Sequence, residues 1–166
     1  GRGSTLLLNI PPDQRGLFHE KDIQSLKGYK KILEREFSKN LAKNAPVLAT
    51  SYRSEAKEFA PFNLTDGNKE SYWVTNDEQR TGSFEIDLHK ESLVKYIVLQ
   101  EYIKLGQRVK KFSIDVWKNG AWYKVADGTT IGYKRILRIE PVLGSKVRVN
   151  ILDSKACPVI SNAEVY

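Results

Sequence analysis

"KKFSIDVWKNGAWYKVAD", residues 110–127, decides the fold class. Phe112, Ile114 and Val116 alternate with Ser113 and Asp115, the period-two pattern of a strand with one dry and one wet face. Asn119-Gly120 supplies the positive φ of a tight two-residue turn, and residues 121–126 return as the second strand of a hairpin. A lone hairpin is marginal in water, so further strands must flank it. "GSFEIDL" (82–88) sets Phe84, Ile86 and Leu88 against Glu85 and Asp87, and "LVKYIVLQEY" (93–102) is apolar enough for a central strand. "KRILRIEP" (134–141), "KVRVNIL" (146–152) and "AEVY" (163–166) complete the set, and "PVLATSYRS" (46–54) opens it as an extended segment. Many short strands broken by turn residues, with no helix between them, predict a mainly β protein: an antiparallel β-sandwich of jelly-roll type.

Before residue 44 the pattern differs. In "KDIQSLKGYKKILEREFSKNLAK" (21–43), Ile23, Leu26, Tyr29, Leu33, Phe37 and Leu41 fall three and four apart and predict one apolar stripe on an N-terminal helix. Residues 6–10 read as a short buried strand ended by Pro11 and Pro12, which cannot donate ladder hydrogen bonds. Strand, loop and helix make a βα unit, which normally belongs to a parallel sheet. No second unit follows. Residues 1–43 therefore read as a piece of a larger α/β domain, and residues 44–166 as the sandwich, with the junction near residues 42–46.

Composition narrows the function. The single Cys157 allows no internal disulfide, and no stretch is apolar for the ~20 residues of a membrane span. Met is absent and no signal peptide is visible, so the chain is expected to be an excerpt of something longer, monomeric as a fragment. The net charge of +7 is spread out: residues 1–60 carry 11 Lys/Arg against 7 Asp/Glu, and the remainder 16 against 13. Its densest spots alternate with apolar residues, as a solvated sheet face does, which argues against a nucleic-acid binder. His19 and His89 have no supporting spacing with each other or with Cys157, and no phosphate loop is present. No catalytic residue is assigned.

"NLTDGNKESYW" (63–73) gathers oxygen donors around one Gly. A hard cation such as calcium takes about six to eight oxygens, and Asp66, Ser71 and converging carbonyls offer several. By composition alone the stretch reads as a polar turn with too little charge to hold a cation. Asn63-Leu64-Thr65 is also a glycosylation sequon.

"LTDGNKESYWVT", "GSFEIDL", "VKYIVLQEY", "RVKKFSIDVWKNGAWYKVA" and the terminal "NAEVY" together resemble a discoidin domain, the coagulation factor V/VIII type C fold that includes the family-32 carbohydrate-binding modules. The resemblance covers residues 45–166 and implies an eight-stranded β-sandwich whose loops bind ligand at one end. It implies a structural calcium held by Asp66 and Glu164 carboxylates, by Ser71, and by backbone oxygens of Asn63, Asn68 and Ala163. It implies a sugar site near the loop "QEYIKLGQR" (100–108), with Glu101, Tyr102, Lys104, Gln107 and Arg108, joined by Asn76, Asp77 and Tyr52. Glu101 stands where sugar-binding relatives often carry Arg, and Asn76-Asp77 replaces a His common after the Trp-x-Thr turn. Trp73, Trp117 and Trp122 are read as core or rim packing.

"LLLNIPPDQRGLFHEKDIQSLKGYKKIL" (6–33) resembles the last strand and helix of the catalytic barrel of family-29 α-L-fucosidases, and "IKLGQRVKKF" and "DGTTIGYKRI" resemble that family's C-terminal region. The implied function is a non-catalytic carbohydrate-binding module of an exported, periplasmic or extracellular glycoside hydrolase. Its partners would be a glycan and the parent's catalytic barrel, with no membrane insertion. The alternative is a structural accessory domain that packs on the barrel without binding sugar, or the appendage of another exo-glycosidase such as a hexosaminidase.

Overall fold

The computed structural model describes residues 6–166; residues 1–5 of the proposed N-terminal segment lie outside the described residues. Two compact units emerge, dividing between Asn40 and Leu41.

The first unit carries helix α1, Glu20–Phe37. His19 caps it: Nδ1 accepts a hydrogen bond from the Lys21 amide at 3.2 Å, satisfying one of the first-turn donors that no helix can satisfy internally. Glu20 and Asp22 in the first turn and Arg35 in the last match the helix dipole. The helix is shorter than its apolar spacing predicts. It ends at Phe37, and Leu41 leaves the stripe: its amide donates to the Val165 carbonyl at 2.8 Å and its side chain packs on the sandwich core. The strand expected at residues 6–10 is not formed. That run is extended without ladder pairing, and Leu6, Leu7 and Leu8 are exposed, because a strand needs a neighbour and none lies within this unit.

Among the described residues the second unit has seven strands: β1 Val47–Ala49, β2 Trp73–Val74, β3 Gly82–Glu101, β4 Val109–Lys118, β5 Ala121–Gly128, β6 Arg135–Ser154 and β7 Val159–Val165. All pairing is antiparallel, in the order β2-β7-β3-β6-β4-β5, with β1 on β3. Four runs that read as separate strands are the halves of two: β3 and β6 are each 20 residues long. Register shifts between Asp87 and Ser92 and between Val94 and Tyr96 bend the pair, so its two ends pair with different neighbours. Near Ile86, β3 and β6 lie with β1, β4 and β5; near Leu99 they lie with β7. Two layers thus enclose one core, as in a discoidin-like sandwich.

The alternation predicted for the hairpin is obeyed. Phe112, Ile114 and Val116 are fully buried, side by side on one layer with Phe84, Ile86, Val147, Val149 and Ile151. The turn has Asn119 at φ 50° and Gly120 at φ 77°, as a two-residue hairpin demands. His89 falls inside β3 at its bend, also with positive φ. The sequence reading named no strand at Trp73–Val74, where the structure forms β2, a two-residue strand paired with Val159 and Ile160. Trp73 is wholly buried, its ring 5.4 Å from Phe84 and edge-on, its Nε1 donating to the Ser51 carbonyl. Trp73→Ala is expected to destabilise the unit by about 3–5 kcal/mol, read as a lower urea midpoint with an unchanged slope.

Candidate functional site

The "NLTDGNKESYW" stretch is pinned at both ends. Leu64 and Trp73 are in the core, and the buried Thr65 hydroxyl donates to the Ala45 carbonyl at 2.9 Å while the Thr65 carbonyl accepts from the Asn44 amide. Between these anchors Gly67, at φ 78°, lets the chain curl. Asp66 organises the curl: Oδ1 accepts from the Asn68 amide at 2.7 Å and Oδ2 from the Ser71 hydroxyl at 2.6 Å. Asn68 Oδ1 in turn accepts from the Glu70 amide at 3.0 Å. The Asn63 side-chain amide donates to the Glu58 and Tyr72 carbonyls, so the sequon asparagine is tied into the fold.

At the other end of the proposed cation set, Ala163 is buried on β7. Glu164 Oε1 accepts from Asn162 and Oε2 from the Tyr166 hydroxyl, both at 2.9 Å. Burial, then the bond to Glu164, pushes the Tyr166 phenol above its ordinary range. Among the described residues no hydrogen bond or ion pair joins Glu164 to Asp66, and no three His, Cys, Asp or Glu side chains gather as a metal cluster. The donor chemistry nevertheless fits a hard cation. Each Asp66 oxygen accepts one hydrogen bond and keeps a further lone pair, and hydroxyl and amide oxygens stand beside it.

Five of the eight residues of the proposed sugar site line two clefts, Glu101, Tyr102 and Lys104 one and Tyr52 and Asn76 the other, while Asp77, Gln107 and Arg108 line neither. Tyr102 and Lys104 line the first, of about 260 Å³, together with Lys69, Glu70, Gln100 and Tyr133. Tyr102 stacks on Tyr72, centroids 4.6 Å apart and 28° between planes, and Tyr72 rests against Phe59. Lys104 pairs with Glu70 across the mouth and sits 5.8 Å from the Tyr102 ring centre. The Lys104 ammonium therefore holds the Glu70 carboxyl below its usual range, and Glu70 raises Lys104. Tyr52 and Asn76 line the second cleft, of about 240 Å³, with residues 49–51, Ser54 and Glu55. Ser54 and Glu55 both have positive φ, 53° and 52°, a strained pair held by Asn76 Oδ1 on the Ser54 amide and the Tyr52 carbonyl on the Glu55 amide.

Glu101 takes a different part from the one expected. It is 2% exposed, and Oε1 accepts from the Arg108 and Val109 amides at 2.7 and 2.8 Å while Oε2 accepts from the Gly132 amide at 2.6 Å. Its carboxylate is turned inward and positions two loops instead of facing a ligand. Arg108 is likewise occupied, donating to the Leu105 and Cys157 carbonyls and to the Cys157 thiol at 3.0 Å. Arg53, absent from the sequence reading, pairs with Asp77 and reaches the same thiol at 3.4 Å. A run of side chains thus connects Asp77 of one loop, through Arg53, Cys157 and Arg108, to the loop bearing Tyr102. Gln107 is exposed beside Gly132. Glu70, Tyr72, Gln100 and Tyr133 were also missed. Tyr72 packs, half-buried, on a small second cluster of Val74, Cys157 and Val159 together with Phe59 and Tyr102, a grouping of distant segments that no local pattern signals.

Two expected outcomes follow from these contacts. Glu101→Gln presents an amide donor to a backbone N–H, and is expected to cost about 2 kcal/mol, read from chemical denaturation, with amide shifts at Arg108 and Gly132. The Glu70 carboxyl titrates below its ordinary value. Its pairing with Lys104 is intact above that value and is lost as pH falls through the lowered one. Carboxyl NMR titration is expected to show the Glu70 midpoint rise in Lys104→Ala.

A family model described as a NedA-like, galactose-binding domain of the F5/F8 type C group matches residues 63–149. The chain is 36% identical over its whole length to a putative α-L-fucosidase 1 of Oryza sativa, covering 32% of that protein. It overlays a putative α-L-fucosidase structure from Bacteroides thetaiotaomicron with TM-score 0.91 and 35% identity, covering all of this chain and 37% of that one. It overlays a chitosan-binding module of Paenibacillus at TM-score 0.69 and 19% identity, over 76% of this chain and 97% of that one, a likeness of fold. The chain spans about a third of the length of the curated relatives it matches. By its sandwich, its loop anchors and the matched residues, the chain belongs to the NedA-like, galactose-binding domain family of the F5/F8 type C group.

Proposed function

We propose that this chain is an accessory carbohydrate-binding portion of an α-L-fucosidase-like glycoside hydrolase, and that it holds the enzyme on glycans. The observation that carries this reading is the Tyr102 cleft. Tyr102, backed by the stacked Tyr72, offers the C–H face of a sugar an apolar wall, and Glu70, Lys104 and Gln100 stand around it as hydrogen-bonding groups for hydroxyls. Alignment of the chain with the C-terminal part of α-L-fucosidases supports the hydrolase as its parent. Glycans large enough to need a targeting module are met outside the cytoplasm, which supports a periplasmic or extracellular setting.

In this reading Tyr102, Lys104 and Gln107 face the sugar, Tyr52, Asn76 and Asp77 form a neighbouring subsite, and Glu101 and Arg108 set the loop. Titration with galactose, L-fucose and lactose is expected to shift the amides of Tyr102, Lys104, Gln107 and Tyr133, and Tyr102→Ala is expected to abolish the shifts. Silence at millimolar concentrations of all three sugars would favour a structural role, in which the domain packs on the catalytic barrel and shapes the active-site rim.

A structural calcium belongs to the same reading. Asp66 and Glu164 would supply its carboxylates, Ser71 a hydroxyl, and Asn63, Asn68 and Ala163 backbone oxygens. The ion would stiffen the sandwich by joining the Asp66 loop to the last strand. Added calcium is expected to raise the melting temperature, and Asp66→Ala to remove the effect; an identical melt in calcium and in chelator refutes the metal site.

A further inference from the structure

We propose a second saccharide-binding surface, on the outer face of the sheet formed by β1, β3, β6, β4 and β5 and away from the loop clefts. Strand pairing builds it in rows. Asp87, Lys146, Trp117 and Trp122 are successive partners across the sheet; so are Glu85, Arg148, Asp115 and Lys124, and so are Ser83, Asn150, Ser113 and Asp127. Their immediate neighbours on β3, β4 and β6 are the buried Phe84, Ile86, Phe112, Ile114, Val116, Val147 and Val149, so alternation turns the rows outward.

An ordinary solvated sheet face carries long, mobile, exposed polar side chains. This one does not. Ser113 and Asp115 are each only 8% exposed. Trp117 and Trp122 meet edge to face at 5.2 Å, and the Arg148 guanidinium lies 4.2 Å from the Trp122 ring centre. Arg148 Nε and Nη2 donate to Asp115 Oδ2 at 3.0 and 2.8 Å, and Asn150 donates to the same oxygen at 2.9 Å. Asp115 Oδ1 accepts no hydrogen bond among the described residues, and it is not a sealed atom. The contrast with Glu101 is informative: a carboxylate that only braces backbone has both oxygens occupied.

The chemistry selects the ligand. An open carboxylate oxygen wants hydroxyl donors, and indole rings want the C–H faces of sugar rings. Across the rows four carboxylates, Glu85, Asp87, Asp115 and Asp127, stand against three cations, Lys124, Lys146 and Arg148, so the face is close to balanced and offers a strongly charged ligand little net attraction. Rows crossing strands spaced about 4.8 Å apart suit a chain of sugar units better than a single one. The class is a neutral oligosaccharide. This surface rests on the reading of the domain as a glycan binder but not on the Tyr102 cleft.

The two sites carry different reporters, tyrosines in the cleft and tryptophans on the sheet, with Trp73 as a buried internal control. The experiment is fluorine NMR of the chain labelled with 5-fluorotryptophan, titrated with cellohexaose, mannohexaose and lacto-N-fucopentaose. The Trp117 and Trp122 resonances are expected to move with at least one saccharide while Trp73 stays. Asp115→Asn is expected to weaken that binding about tenfold, the loss of one hydrogen bond to a charged group, and Trp122→Ala, at the exposed edge strand, to weaken it independently. Tyr102→Ala should leave it intact, so failure of the loop site and failure of this one are told apart. Unmoved Trp117 and Trp122 resonances with all three saccharides overturn the proposal. So does a shift that survives both substitutions, or one seen in this chain but lost in the full enzyme because another domain covers the face.

Discussion

The pairing of β3 with β6 governs this molecule. Two strands of 20 residues run beside each other antiparallel, and both bend at the register shifts near Asp87 and Val94. A straight pair of that length would make one flat layer with both faces needing cover. The bend lets one half pair with β1 and β4 and the other with β7, so the inner faces of the two halves meet. Phe84, Ile86, Val147 and Val149 from one half and Ile97 and Leu99 from the other then share one core. The loops that line the clefts inherit their positions from where these strands end.

Glu101 shows how the end of β3 is converted into a site. The strand emerges beside the loop that leads into β4 and the loop that carries Gly132. A single buried carboxylate accepts from three backbone amides, in residues 108, 109 and 132. Charge-assisted bonds of this kind are stronger than neutral ones, and a carboxylate so satisfied has no reason to face a ligand. The neighbouring Tyr102 and Lys104 are thereby held outward. The same logic applies at Asp66, whose two oxygens shape the turn between buried Leu64 and buried Trp73 and so set where Glu70 reaches Lys104.

Much of the fold was legible because strands announce themselves by period. The hairpin of β4 and β5, its Asn119-Gly120 turn and the inward faces of β3 and β6 all follow from alternation and turn chemistry. Three elements were not legible. The two-residue β2 is too short to carry a period. The continuity of β3 and of β6 was hidden because a bulge interrupts alternation as a turn does. The run at residues 6–10 has the composition of a strand, but composition supplies no partner, and without one the backbone stays unpaired. In the candidate sites the directions of the side chains were not legible. Glu101, Tyr102, Lys104 and Arg108 do converge on one end, yet two face inward and two outward, and Arg53 and Glu70 reach them from segments 48 and 31 residues before Glu101.

The amino-acid sequence by itself determined the fold class, the hairpin, the helix and the turn at Gly67, because each rests on interactions between residues a few positions apart. Tertiary structure alone decided which polar side chains became braces and which remained open. Glu101 and Asp115 are both carboxylates near strand residues of similar character. One meets three backbone amides, two at the start of β4 and one from the Gly132 loop, and has both oxygens occupied; the other meets Arg148 and Asn150 through one oxygen only. That difference is set by the donors that distant strands and loops bring within about 3 Å, the reach of a hydrogen bond, and no local pattern in the chain encodes it.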